Sequence, residues 1–271
     1  MSSNTNIDMS EKFDRQYKLG EAAALRELER AACGCDFGGT SWTTKAEADE
    51  LSRLLKLAPG VVHLEIGAGS GWPSLYQAKE TGCNATLTDV SSEGLRVAEK
   101  RAGEEGLSDQ CRFALAPCFD LPFDDASFDA IGHSDVLCCV EEKLETLTEC
   151  RRLIRATGRM AFSVIYLTDG ASRDDINRAA AAGPVLIEAP APYPAMLNET
   201  GWQIELQRGV TREFAEAIAR HAQEYEARAD DLAAIMGKED YAEGLAKLRG
   251  KQQCIKDGIV KRCVYCVTPV G

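Results

Sequence analysis

The sequence predicts an α/β fold: a doubly wound, mostly parallel sheet with a helical cap before it and a helical insertion ahead of its last strand. Three observations carry that prediction. Short, near-continuous apolar runs alternate with helical patterns through the middle of the chain, as strands buried on both faces require. One such run ends in closely spaced glycines, Gly67, Gly69 and Gly71. After Thr211 a helical periodicity interrupts the alternation before a final strand-like run.

The length, 271 residues, suits one large domain or a core with an added subdomain. Apolar residues make up 45% and charged ones 27%, an ordinary globular composition. Lys and Arg total 31 against 43 Asp and Glu, a net charge of −12. That acidity argues against a nucleic-acid backbone or an anionic membrane surface as partner, because both would be repelled. The apolar stretch Met160–Leu167 is too short to span a bilayer, and Met1–Ser10 lacks the apolar core of a signal peptide. The 11 cysteines then read as reduced thiols of a cytoplasmic protein. The oligomeric state is left open.

Residues 1–57 are helical but outside the alternation and form the cap. Within them Cys33–Thr40 is a glycine-rich turn, and Thr44 with Glu47 makes a capping box. It opens a helix whose apolar side is Leu51, Leu54 and Leu55. The core takes residues 58–210 and 259–271, with strands at Val61–Ile66, Ala85–Asp89, Arg112–Ala116, Phe128–His133 and Arg159–Leu167. The helices between them stop at glycines: Trp72–Thr81 at Gly82, Ser92–Glu105 at Gly106, Glu142–Ala156 at Gly158. Asp174–Ala182 is helical, and prolines 184, 190, 192 and 194 make an irregular passage. Trp202–Gly209 and Val260–Thr268 are the last two strands. Between them, in residues 211–258, Phe214, Ile218, His221, Tyr225, Leu232 and Ile235, then Tyr241, Leu245, Leu248 and Ile255, recur at helical steps. Gly237 separates these into two amphipathic helices. If Trp202–Gly209 runs parallel to the sheet, they start over its ligand-binding edge and act as a lid.

The strongest motif is Glu65-x-Gly67-x-Gly69-x-Gly71 at the end of the first core strand. Glycines there allow a tight turn and close approach of a ligand, with N–H groups and a helix terminus aimed at it. Asp89 ends the next strand, where a carboxylate accepts two hydrogen bonds from ribose hydroxyls. An adenosine-containing ligand is expected. A dinucleotide fingerprint would place its third glycine at Trp72, where an indole crowds a pyrophosphate. An acid two residues before the first glycine suits a cationic ligand better.

With these residues the chain resembles class I S-adenosylmethionine (SAM) dependent methyltransferases, from about Trp42 to the C-terminus. Leu121-Pro122-Phe123 with Ser127-Phe128-Asp129 is similar to a passage of their small-molecule, methyltransferase-11/UbiE-like branch, as is Glu149–Arg159. The resemblance implies a Rossmann-like fold and SAM as cofactor, with S-adenosylhomocysteine (SAH) as product. By position it implies Gly67, Gly69 and Gly71 along the methionine and ribose, and Glu65 at the amino end. Asp89 would serve the ribose, Val90 the adenine, and Cys118 and Phe119 the adenine edge. Pro117 departs from the pattern, because relatives often have an aspartate there for the adenine amino group. Thr43 and Trp42, before the capping box, are expected near the SAM carboxylate, with Tyr17 closing over the same site.

His133-Ser134-Asp135 ends the fourth strand, where the sulfonium should lie. His133 is a candidate to orient or deprotonate an acceptor and Asp135 to accept a proton or a hydrogen bond. Cys138, Cys139, His221 and Tyr225 are expected to line the acceptor pocket. Cys263 and Cys266 lie three apart on a strand and point to opposite faces, so no metal site is expected. His133-Ser134-Asp135 also lacks the Asn/Asp-Pro-Pro-Tyr/Phe motif of DNA adenine methylation. The reading is methyl transfer to a small-molecule acceptor, with a lean to a thiol or sulfide because of the cysteine-rich edge. The alternatives are an NAD(P)-dependent oxidoreductase or a non-catalytic SAM-binding protein.

Overall fold

A computed structural model describes residues 2–271, with side chains from Ser10 onward. The cap is three helices, α1 (Ser2–Gly20), α2 (Ala23–Cys33) and α3 (Lys45–Leu54). The predicted capping box opens α3, with Thr44 and Glu47 each satisfying the other's backbone N–H. The core strands are β1 (Val62–Ile66), β2 (Asn84–Asp89), β3 (Cys111–Leu115), β4 (Phe128–Ser134), β5 (Ile154–Leu167), β6 (Trp202–Gly209) and β7 (Val260–Pro269). They form one seven-stranded sheet in the order β3-β2-β1-β4-β5-β7-β6. The first five strands are parallel, β7 is antiparallel to β5, and β6 is antiparallel to β7. Strand β6 therefore runs with the parallel set, and its end at Gly209 lies on the same edge as the glycine turn. Strand order reverses between β1 and β4, the place where open α/β sheets bind ligands.

Helices α4 (Ser74–Thr81), α5 (Ser92–Glu104), α6 (Lys143–Leu153), α7 (Arg173–Ala182) and α8 (Tyr193–Glu199) complete the core. On one face Ile131, Phe162 and Tyr265 pack with Leu147, Leu153 and Met196. On the other, Leu51 and Leu55 pack on Ala130, Ala161, Val264 and Cys266. Cys263 and Cys266 fall in these two different clusters, as a two-residue period demands.

Three boundaries differ from expectation. Helix α6 ends at Leu153, and Gly158 lies inside β5 instead of capping a helix. The register of β5 on β4 shifts there, and a Cβ on Gly158 would meet the Asp129 carbonyl oxygen at 2.8 Å. Glycine serves a bulge and a close strand approach, a need that looks the same in sequence as a cap. The proline passage contains α8, because Pro194 sits in its first turn, where a missing N–H costs nothing. The insertion is three helices, not two: α9 (Thr211–Ala227), α10 (Ala229–Met236) and α11 (Lys238–Lys256), with Arg228 leaving helical geometry between the first two. Leu28 of α2 shares one cluster with Ala222, Tyr225, Leu232 and Leu248, so cap and insertion are joined by a common small core. Among the described residues no helix is long and apolar enough to cross a membrane.

Candidate active site

The glycine turn leaves β1 with φ of +66° at Gly67 and +51° at Gly69, a region that side chains with a Cβ rarely adopt. Crowding makes the same demand. A Cβ on Gly69 would lie 2.2 Å from the Tyr17 hydroxyl, and one on Gly67 would lie 2.5 Å from Val136 Cγ2. Asp89 sits opposite the turn. Its Oδ2 accepts from Gly69 N–H at 2.7 Å and its Oδ1 from Ser91 N–H at 2.8 Å. Burial raises its pKa, and these backbone donors pull the other way. Each oxygen keeps a second acceptor site, which fits a ribose diol.

Helix α1 is latched over this edge. Ser91 Oγ and Glu93 N–H both donate to Asp14 Oδ1, at 2.5 and 3.1 Å, and Ser10 Oγ donates to the Val90 carbonyl at 2.9 Å. The latch carries the buried Tyr17 onto Gly69, with its hydroxyl 3.4 Å from Thr40 Oγ1. Val90 is exposed beside Asp89, and Phe119 is half-buried. Cys118 is buried, its Sγ 3.3 Å from Thr146 Oγ1. Thr43 is fully buried: its carbonyl accepts from Trp72 Nε1 at 2.7 Å, so Trp72 pegs the cap to the glycine turn. Glu65 faces the α3 side, its Oε2 3.5 Å from His63 Nε2, and burial pushes its pKa up to about 8 and that of His63 down to about 4. Both groups are thereby driven toward their neutral forms.

At the end of β4 the two candidate catalytic residues part company. Asp135, in a left-handed conformation with φ +56°, accepts from Arg262 Nε at 3.0 Å to each oxygen. Arg262 is fully buried on β7 and also pairs with Glu47, Thr43 Oγ1 (3.3 Å) and Ser163 Oγ (3.0 Å). Asp135 is thus tied into an ion cluster as a hydrogen-bond acceptor, which leaves it poorly placed for its other expected role, accepting a proton. His133 is fully buried and stacked on Phe162 at 4.5 Å, with neither ring nitrogen hydrogen-bonded. Burial lowers its pKa to about 3.

A stability prediction follows from that depression. The unfolded chain takes up a proton at His133 as pH falls below about 6.5 and the folded chain does not, so this contribution is lost as pH falls from 6.5 toward 3. His133→Phe should therefore lose less stability than wild type over that window, by up to roughly 1.4 kcal/mol per pH unit. Urea unfolding at pH 7, 6 and 5 measures it. Parallel curves for the two proteins would mean that the buried ring titrates normally.

The expected acceptor-pocket residues are divided by the fold. Cys138 is fully buried with Sγ 3.0 Å from the Asp135 carbonyl, while Cys139 is partly exposed. Tyr225 does not face the β4 edge: its hydroxyl donates to Met236 Sδ at 3.1 Å and its ring stacks on Tyr241 at 5.1 Å. It belongs to the core of the insertion. His221 stands edge-on to Trp42 at 5.3 Å, with its pKa lowered to about 4 by burial and by Lys251. Trp42 therefore faces the insertion and not the glycine turn. Lys251 of α11, absent from the expected set, lies over the Trp42 ring at 4.5 Å. Its sequence signal is a charge inside an apolar stripe, between Leu248 and Ile255. Arg262 has an equivalent signal, a charge alternating with Val260 and Val264 on a central strand.

Residues 64–162 match the methyltransferase domain family Methyltransf_11. Over these residues the chain carries a domain similar to the class I SAM-dependent methyltransferases. SAM is the cofactor of that family. Methyltransferase GfsG of Streptomyces halstedii is 29% identical over 159 residues, covering 56% of this chain and 56% of its own length. The match thus spans little more than half of that relative. Geranyl diphosphate C-methyltransferase from Streptomyces coelicolor A3(2), solved with Mg2+, geranyl diphosphate and SAH, superposes with a TM-score of 0.76 at 14% identity over 99% of both chains. The [4+2]-cyclase SpnF superposes with a TM-score of 0.78 at 19% identity, over 97% of this chain and 96% of that one. This architecture is therefore shared by a protein named for ring closure. Further relatives of this chain are named for O-, C- and N-methylation.

Proposed function

We propose that the methyltransferase moves the methyl group of SAM to a small organic acceptor, held between the C-terminal edge of the sheet and α9–α11. The Asp89 carboxylate carries this reading: two backbone N–H groups fix it beside the glycine turn, with acceptor sites left for a ribose. Bound SAM supplies an electrophilic methyl, so the protein has to hold, align and exclude water. Asp89 holds the ribose, Val90 and Phe119 flank the adenine, and Tyr17 on α1 closes the site. Helices α9–α11 form the lid. Amide exchange in α11 should slow when SAH and acceptor are bound together, and unchanged exchange would make the insertion a static addition.

An acceptor that ionises by itself, a thiol or an acidic phenol, fits the groups at the β4 end. His133 and His221, lowered to about 3 and 4, are poor bases near neutrality, and Asp135 is engaged by Arg262. The soft wall first expected from two cysteines is reduced to Cys139. Pre-steady-state methyl transfer with two thiols of different pKa tests this. The rate should rise with pH to a plateau set by each thiol's own pKa, and His133→Phe should lower the rate without moving that profile. One pKa common to both acceptors and lost in His133→Phe would make His133 the general base.

A further inference from the structure

Among the described residues two lysines are buried, and they are partnered differently. Lys143 Nζ donates to the carbonyls of Val140 at 2.5 Å and Leu186 at 2.9 Å, a structural cation that ties two loops. Lys251 is 8% exposed and makes no hydrogen bond or ion pair among the described residues. Its contact with the face of Trp42 recovers only part of the hydration that an ammonium loses on burial. An unpaired buried cation in the middle of an apolar helix stripe calls for an anion supplied from elsewhere.

The surroundings say where that anion sits. The electrostatic neighbours of Lys251 are Cys138, Cys139 and Asp135 at the end of β4, and Lys12 on α1. Tyr193 of α8 has Cys138, Cys139 and Asp135 as neighbours too, and its hydroxyl is buried without a hydrogen-bond partner. Lys12 also acts on Cys139 but is exposed, so its charge stays solvated and adds no second buried cation. Asp135 does not neutralise Lys251, because Arg262 holds both of its oxygens.

We propose that Lys251 binds a carboxylate on the methyl acceptor, with the Tyr193 hydroxyl as the second donor. This rests on the methyltransferase reading above and adds the chemical class of its substrate. One buried positive charge with one neutral donor matches a monoanion with two oxygens. A phosphate dianion would leave a buried charge uncompensated. Lid residue and β4 edge would then meet on the ligand, so closure of α11 would depend on the acceptor's charge.

The test is calorimetric titration of the full chain, with and without SAH, using benzoate and phenylacetate against benzamide and phenylacetamide. The acids should bind at least tenfold tighter than their amides. Lys251→Met and Lys251→Gln should erase that preference, Lys251→Arg should restore most of it, and Tyr193→Phe should weaken the acids alone. SAH affinity should stay within twofold of wild type in all four variants, which also reports that they fold. Acids and amides binding alike in wild type, or a preference that survives in Lys251→Met, would overturn the proposal. Failure of wild type to bind SAH would instead overturn the methyltransferase reading, while the acid–amide difference without SAH still decides Lys251.

Discussion

Replacing Asp89 by alanine should weaken SAM binding by at least tenfold. The carboxylate is fixed by Gly69 N–H and Ser91 N–H, and its remaining acceptor sites face the edge of β1 and β2, where a ribose would lie. Hydrogen bonds to a charged group are worth roughly 1.5–3 kcal/mol, about one to two orders of magnitude in affinity. The loss has a second source, because Gly69 N–H would be left without its partner and the turn less firmly set. Calorimetry with SAM on Asp89→Ala and Asp89→Asn measures both. Asparagine keeps an oxygen that can still accept from Gly69, so it should retain more affinity than alanine. Unchanged SAM affinity in a folded Asp89→Ala protein would remove Asp89 from the cofactor site.

Arg262→Met should be strongly destabilising. The guanidinium is fully buried and joins β7 to Asp135 after β4, to Glu47 and Thr43 at the start of α3, and to Ser163 of β5. Its removal leaves two carboxylates without their cation, and breaking a buried pair typically costs about 3–5 kcal/mol. For a chain of this size that lowers Tm by roughly 10 °C. The triple variant Arg262→Met, Asp135→Asn, Glu47→Gln should recover much of the loss, because no unpaired charge remains and both the left-handed turn and the α3 cap are kept. Thermal unfolding of the single and triple variants decides it. A single variant as stable as wild type would show that the cluster contributes nothing net.

Asp135 shows why the candidate site was only partly legible. The residues His133-Ser134-Asp135 stand at the expected strand end, and their position came from local pattern. Their chemistry did not, because the partner of Asp135 lies on β7, far along the chain and adjacent only through the sheet. Tyr225 went astray for a related reason. Its helical spacing placed it on the apolar face of α9, but an amphipathic helix packs that face on whatever covers it, here α10 and α11.

The sequence by itself determined the parts set by short-range physics. Alternating apolar runs dictated the parallel core, and the glycines of Glu65-x-Gly67-x-Gly69-x-Gly71 dictated the tight turn against Asp89, since side chains with a Cβ rarely adopt that backbone beside a close neighbour. The Thr44–Glu47 capping box fixed the start of α3 within four residues of chain. Tertiary structure alone decided which of the remaining polar groups are paired. Arg262 is spoken for by Asp135 and Glu47, Lys143 by two carbonyls, and Lys251 by none of the described residues. Pairing depends on distances between segments remote in sequence, and burial gives each unpaired group its energetic consequence. Neither is written in the spacing of residues along the chain.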